Sequence, residues 1–228
     1  MDFFSPNSQY LYDDLVLLPQ EGAQTGGTGR PPNSYALLLD GYSVLFDAPF
    51  SYLLDEVEDL AERGHPPGAL VLSHRDLVGQ GDAFQTLQET YDLPVLLHPD
   101  DVRAGHNIDF ANPLDSNLLK EAGLEVIHFP GHTPGSIMLY WSEHGGVLLA
   151  GDSAVAPGPR QALEPPRLER PLGPTQAMTD ELAEKWRDFD KPLRTVCPLH
   201  GVPYVDRDDL DDIMRSLYEA EPMDPSGG

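Results

Sequence analysis

The sequence predicts a mixed α/β protein whose sheets are covered by helices. Short continuous apolar runs of strand length alternate with longer segments of helical spacing. Turn signals join neighbouring runs into hairpins in both the first and the second half of the chain. The length, 228 residues with 40% apolar and 23% charged side chains, is enough for a real hydrophobic core.

The elements follow in chain order. Leu15-Val16-Leu17-Leu18 is a short apolar run that reads as an edge strand, and Glu21 to Asn33, rich in Gly, Thr and Pro, reads as a loop. Tyr35–Leu39 and Ser43–Phe46 flank Asp40-Gly41-Tyr42 and form a hairpin. Between Ser51 and Arg63 the apolar residues Leu53, Leu54, Val57, Leu60 and Ala61 fall on one helical face, opposite acidic residues, and Gly64 stops the helix. Ala69–Leu72 is a buried strand, Asp82–Tyr91 a helix, Pro94–Leu97 a strand, and Pro99-Asp100-Asp101 the start of a short helix. Leu124–Phe129, Ser136–Trp141 and Val147–Ala150 are three strands joined by turns that contain glycine. A loop carrying Pro and Arg runs from Pro157 to Pro174, followed by an amphipathic helix (Thr175–Phe189), a strand (Arg194–Cys197) and a last helix (Asp208–Ala220). One domain is expected over residues 1–220, with a mobile tail at 221–228.

Charge and cysteine content narrow the function classes. With 14 Lys+Arg against 38 Asp+Glu the net charge is −24, which disfavours nucleic acid and anionic membranes as partners, since both need a basic face. No window approaches a bilayer-spanning apolar run and the first residues carry no secretory pattern, so a cytoplasmic protein is expected. The single cysteine, Cys197, excludes an internal disulfide framework or a Cys-rich zinc site and reads as a small buried apolar side chain.

Histidine is the informative residue. Of eight, His74, His132 and His200 each follow a predicted strand, as does Asp152. Loops at strand ends present side chains to a cleft. Imidazole and carboxylate are ligands for zinc, iron or manganese. The remaining histidines have blander readings: His98 and His128 as packed, satisfied residues, and His65, His106 and His144 as loop residues facing water. The aromatic set Phe3, Phe4, Tyr10 and Tyr12 reads as edge packing or a partner surface.

Taken in order, Ser73-His74, Gly81, Pro130-Gly131-His132-Thr133-Pro134-Gly135-Ser136, Gly151-Asp152-Ser153 and His200-Gly201 resemble the metallo-β-lactamase superfamily. Asn33-Ser34-Tyr35 and Leu45-Phe46-Asp47 are similar to that family's opening strands. The resemblance runs from about residue 12 to about 205, and its Gly-His-Thr-Pro-Gly-Ser turn is similar to that of the glyoxalase-II-like hydrolases. It implies a four-layer αββα sandwich with a metal cleft at one edge, between two sheets. It also implies that Asp47 supports the site from behind, where the residue alone reads equally as the end of its strand.

The chain departs from the family at its signature His-x-His-x-Asp-His. Here the stretch reads His74-Arg75-Asp76-Leu77-Val78-Gly79-Gln80-Gly81. With Gly81 aligned, Asp76 replaces the second histidine, Val78 the aspartate and Gly79 the last histidine. Neither Val78 nor Gly79 offers a ligand, so a two-ion centre is not expected. A single divalent ion, zinc foremost with iron or manganese as alternatives, would be held by His74, Asp76, His132 and Asp152, with His200 nearby as a further candidate ligand. Asp76 or His200 would carry the proton-handling role that Val78 cannot. Two functions follow from this reading. One is a metal-dependent hydrolase of a small ester, thioester or lactone. The other is a non-catalytic binding or regulatory protein with a vestigial cleft. The oligomeric state is not legible in the sequence.

Overall fold

A computed structural model describes residues 7–20, 31–105, 108–158 and 166–220. Phe3, Phe4, His106, most of the loop 21–33, the centre of the loop 157–174 and the tail 221–228 lie outside the described residues.

Two sheets carry the fold. The larger has seven strands in sequence order: β1 (Gln9–Tyr12), β2 (Leu15–Leu17), β3 (Tyr35–Leu39), β4 (Tyr42–Phe46), β5 (Pro67–Val71), β6 (Val95–Leu96) and β7 (Phe110–Ala111). Its first four strands are antiparallel, and β4 to β7 run parallel. The smaller sheet has the order β11-β10-β9-β8, from β8 (Leu124–His128), β9 (Ile137–Trp141), β10 (Val147–Gly151) and β11 (Thr195–Pro198). There β8 and β10 both run antiparallel to β9, and β11 is parallel to β10. The C-terminal ends of β8, β10 and β11 therefore share one edge.

Side-chain alternation along the strands explains the layering. Leu15, Leu17, Leu37, Val44, Ala69 and Val71 point inward and meet Ile137, Leu139, Val147, Leu149 and Cys197 of the smaller sheet. Their neighbours Val16, Ala36, Leu45 and Leu70 point outward, against α1 (Leu54–Glu62), α2 (Asp76–Gln80) and α3 (Phe84–Tyr91). On the far face Met138, Leu148, Ala150 and Val196 pack under α5 (Gln176–Arg187) and α6 (Leu210–Glu219). The result is helix, sheet, sheet, helix, the sandwich that the family resemblance implies. A further short helix, α4 (Asn117–Glu121), leads into β8. No helix among the described residues is long and apolar enough to cross a membrane.

Some local expectations are corrected. Leu15–Leu18 is not an edge: β2 is buried throughout, and β1 lies outside it. The sequence hides β1 because only Leu11 of Gln9-Tyr10-Leu11-Tyr12 is buried. His65 and His144 do not simply face water. His65 Nδ1 lies 3.0 Å from the carbonyl of Leu39, and His144 stacks on Tyr12 at 4.0 Å and pairs with Asp14 at 2.7 Å.

Candidate metal centre

The predicted ligands converge at one edge of the sandwich. His74 follows β5, His132 follows β8, Asp152 follows β10 and His200 follows β11. A backbone bond between the sheets, from Ile137 N to the carbonyl of Ser73 at 2.9 Å, joins the end of β5 to the start of β9. Asp152 leaves β10 through Gly151, whose φ of +53° is left-handed, and a Cβ there would come within 2.4 Å of Ser73. Only glycine allows that turn and that approach together.

Asp152 is the hub. Its Oδ2 lies 3.7 Å from His74 Nε2, 3.7 Å from His132 Nε2 and 3.6 Å from His200 Nε2. Asp76 Oδ2 is 3.5 Å from His132 Nε2, and one ligand atom each of His74, Asp76 and His132 lies within 4.8 Å of the other two. These separations are too long for hydrogen bonds between the side chains. Those of 3.5 to 3.7 Å are close to the roughly 3.4 Å between neighbouring ligands of a tetrahedral ion with bonds near 2.1 Å. Both ring nitrogens of His132, and Asp152 Oδ1, are buried and make no hydrogen bond. Buried polar atoms left in this way are costly and call for a partner such as an ion.

The electrostatics suit a cation. Burial pushes His74 down to about 4, outweighing the pull of the Asp152 carboxylate, so the ring is neutral at pH 7 with a lone pair to give. Its Nδ1 lies 2.9 Å from Ser73 Oγ, which fixes the ring and leaves Nε2 facing Asp152. Asp76 is held at about 2, chiefly by His132 beside it, and so is ionised. For Asp152 burial acts upward, but His200, His74 and His132 outweigh it and leave the carboxyl below its ordinary value. For His132 burial acts downward, yet Asp76 and Asp152 more than compensate and the ring sits above its ordinary value.

The departures from the family signature fall on α2. Val78 packs against the apolar cluster beneath that helix, and a Cβ on Gly79 would meet nothing within 4 Å. Neither residue thus offers a ligand to an ion beside Asp152 and His200. Asp47 lies behind the site, fully buried, with Oδ1 accepting from Ser73 N at 2.7 Å. Sequence reasoning missed two supports. Asn33 Nδ2 donates to the carbonyls of Pro198 and Gly201 on either side of His200, and Trp186 Nε1 donates to the carbonyl of Ser153 beside Asp152. Both residues act from distant parts of the chain, so no local pattern marks them.

A second group of ligand types is His98, Asp100 and His128. Its two rings stack face to face at 3.9 Å, with planes 11° apart, so their in-plane lone pairs do not converge. His98 Nδ1 accepts from Asp100 N, and His128 Nε2 bonds the carbonyl of Pro134 at 2.9 Å. The two rings are packed and partnered, while Asp100 is exposed.

Comparisons with known proteins bear on the same architecture. A family model described as "Metallo-beta-lactamase superfamily" matches residues 51–200. No curated protein matches the chain. Among solved structures, the B3 metallo-β-lactamase BLEG-1 is 23% identical with a TM-score of 0.54, over 86% of this chain and 96% of that one. A di-iron-bound form of TTHA1623 is 23% identical with a TM-score of 0.52, over 77% of this chain and 90% of that one. The chemotaxis sensor ODP, solved as a peroxy diiron species, is 15% identical with a TM-score of 0.60, over 96% and 97%. At these identities the likeness is one of fold.

Proposed function

The chain belongs to the metallo-β-lactamase superfamily, and we propose that it is a metal-dependent hydrolase with a single-ion centre that acts on a small ester, thioester or lactone. The observation that carries this reading is the placement of Asp152 Oδ2 within 3.7 Å of three imidazole nitrogens, beside a His132 ring whose two nitrogens are buried and make no hydrogen bond among the described residues. His74, Asp76, His132 and Asp152 hold the ion, zinc in the first instance, and two nitrogens with two carboxylate oxygens also suit ferrous or manganous ions. When bound, such an ion activates water and polarises a carbonyl. Asp76, held near 2, is a ligand and too weak a base to take a proton at neutral pH. His200, 3.6 Å from Asp152 Oδ2, is the residue that would hold or move a proton. Asp76 is half exposed and marks the open side from which a substrate enters. The charge of −24 favours a small neutral substrate over a polyanion.

Packing of Val78 into the apolar cluster favours a second reading, a non-catalytic binding or regulatory protein with a vestigial metal cleft. A panel of thioesters and lactones separates the two. Hydrolysis that is lost in His132→Ala supports the hydrolase. Turnover no greater than that of His132→Ala, with the ion bound, supports the binding protein.

A further inference from the structure

We infer that Asp101 is a positioning residue for the metal centre, its buried carboxylate tying the turn that carries His132 to the segment that carries His74 and Asp76. The inference rests on the single-ion reading above. Asp101 closes the short turn Pro99–Asp101 after β6 and is fully buried. Its Oδ2 accepts from Thr133 Oγ1 at 2.6 Å and from Arg75 N at 3.0 Å. Its Oδ1 accepts from Gly135 N at 3.0 Å, and the Arg75 guanidinium lies 3.6 Å away. Thr133 is the residue after His132, and Arg75 stands between His74 and Asp76. Among the described residues, each of these partners of the Asp101 carboxylate belongs to a ligand-bearing segment, and none to its own turn.

The approach is built into the sequence. A Cβ on Gly135 would come within 2.6 Å of Asp101 Cγ, so only glycine lets the carboxylate reach that amide. Hydrogen bonds from several donors offset the desolvation of a buried carboxylate and fix its direction. The same turn is held from another side by His128 Nε2, on the carbonyl of Pro134. Residues 133, 134 and 135 are thus all bound from outside, which leaves the His132 ring little freedom to swing. Partners of this kind, one step behind the ligands, set how well a site is organised before an ion arrives.

Asp101→Asn is nearly isosteric but turns one acceptor into a donor, which faces either the Gly135 amide or the Thr133 and Arg75 donors. Zinc affinity of the full chain, measured by chelator competition where the protein is folded, falls about 10- to 100-fold in this variant. Thr133→Val falls in the same direction, while Thr133→Ser, which keeps the hydroxyl, stays within about twofold of wild type. In the metal-free protein, amide hydrogen exchange at Gly135 and Arg75 speeds up in Asp101→Asn. Wild-type zinc affinity in Asp101→Asn, even with a lowered Tm, would show a purely structural acid and overturn the inference. Unchanged exchange at both amides would overturn the brace itself. A wild-type chain that takes up no zinc, iron or manganese would overturn the functional reading and the positioning role together. Should Asp101→Asn fail to fold, the Thr133 pair decides.

Discussion

Asp47 and His74 are displaced in opposite directions by the same cause, burial, and this sets a pH signature for the metal-free protein. Asp47 is pushed up to about 8 and His74 down to about 4. Between pH 4 and the ordinary histidine value of 6.5, the unfolded chain binds one more proton at His74, and stability rises with pH. Over the same range the folded chain binds one more proton at Asp47, and stability falls with pH, at a similar ~1.4 kcal/mol per unit. The two cancel. From pH 6.5 to about 8 only the Asp47 contribution remains, and stability falls by about 2 kcal/mol. His132, raised above its ordinary value, adds to the fall. Thermal melts of metal-free protein therefore give a lower Tm at pH 8 than at pH 6.5. Asp47→Asn, which keeps an acceptor for Ser73 N and tolerates the φ of 54°, removes most of the difference. A wild-type Tm equal at the two pH values contradicts a buried neutral acid at Asp47.

At the scale of elements, the proposed single-ion centre turns on α2. Restoring family-type side chains with Val78→Asp and Gly79→His is expected to raise ion stoichiometry from one toward two. The position of Gly79 is open, while Val78→Asp takes an apolar side chain out of the cluster beneath the helix and costs about 1–3 kcal/mol. A stoichiometry that stays at one would show that the Gly81 register is wrong. Trp186→Phe in α5 loses one buried hydrogen bond to Ser153 and should lower stability by about 1 kcal/mol. Most of this architecture is legible in the sequence because its strands are continuous apolar runs and its longer helices show one apolar face. Tyr35–Leu39, Ile137–Trp141 and Val147–Gly151 follow directly from such runs. What is not legible has a physical reason. The strand Gln9–Tyr12 buries one side chain, and Asp76–Gln80 and Asn117–Glu121 are each five residues long, too short to show a period. The site is legible as strand-end residues that meet. Asp101 and Asn33 are not legible as supports, since each reaches ligand-bearing segments that are 26 or more residues away in the chain.

At the scale of the molecule, two sheets face each other, and ligands from both meet at one rim, so the centre tests the packing of the whole sandwich. The acidic surface acts on the same whole. With a charge of −24, self-repulsion weakens the folded state at low ionic strength, and Tm should rise as salt is increased from about 0.01 to about 1 M. A Tm that falls or stays flat in that range would remove charge repulsion from the account. The most direct test of the central claim is elemental analysis of untagged protein purified without chelator and then offered zinc, iron and manganese separately. One tightly held ion per chain, lost in His132→Ala, is the expected result. Less than about a tenth of an equivalent of every ion, or full retention in His132→Ala, would contradict a centre built on these ligands.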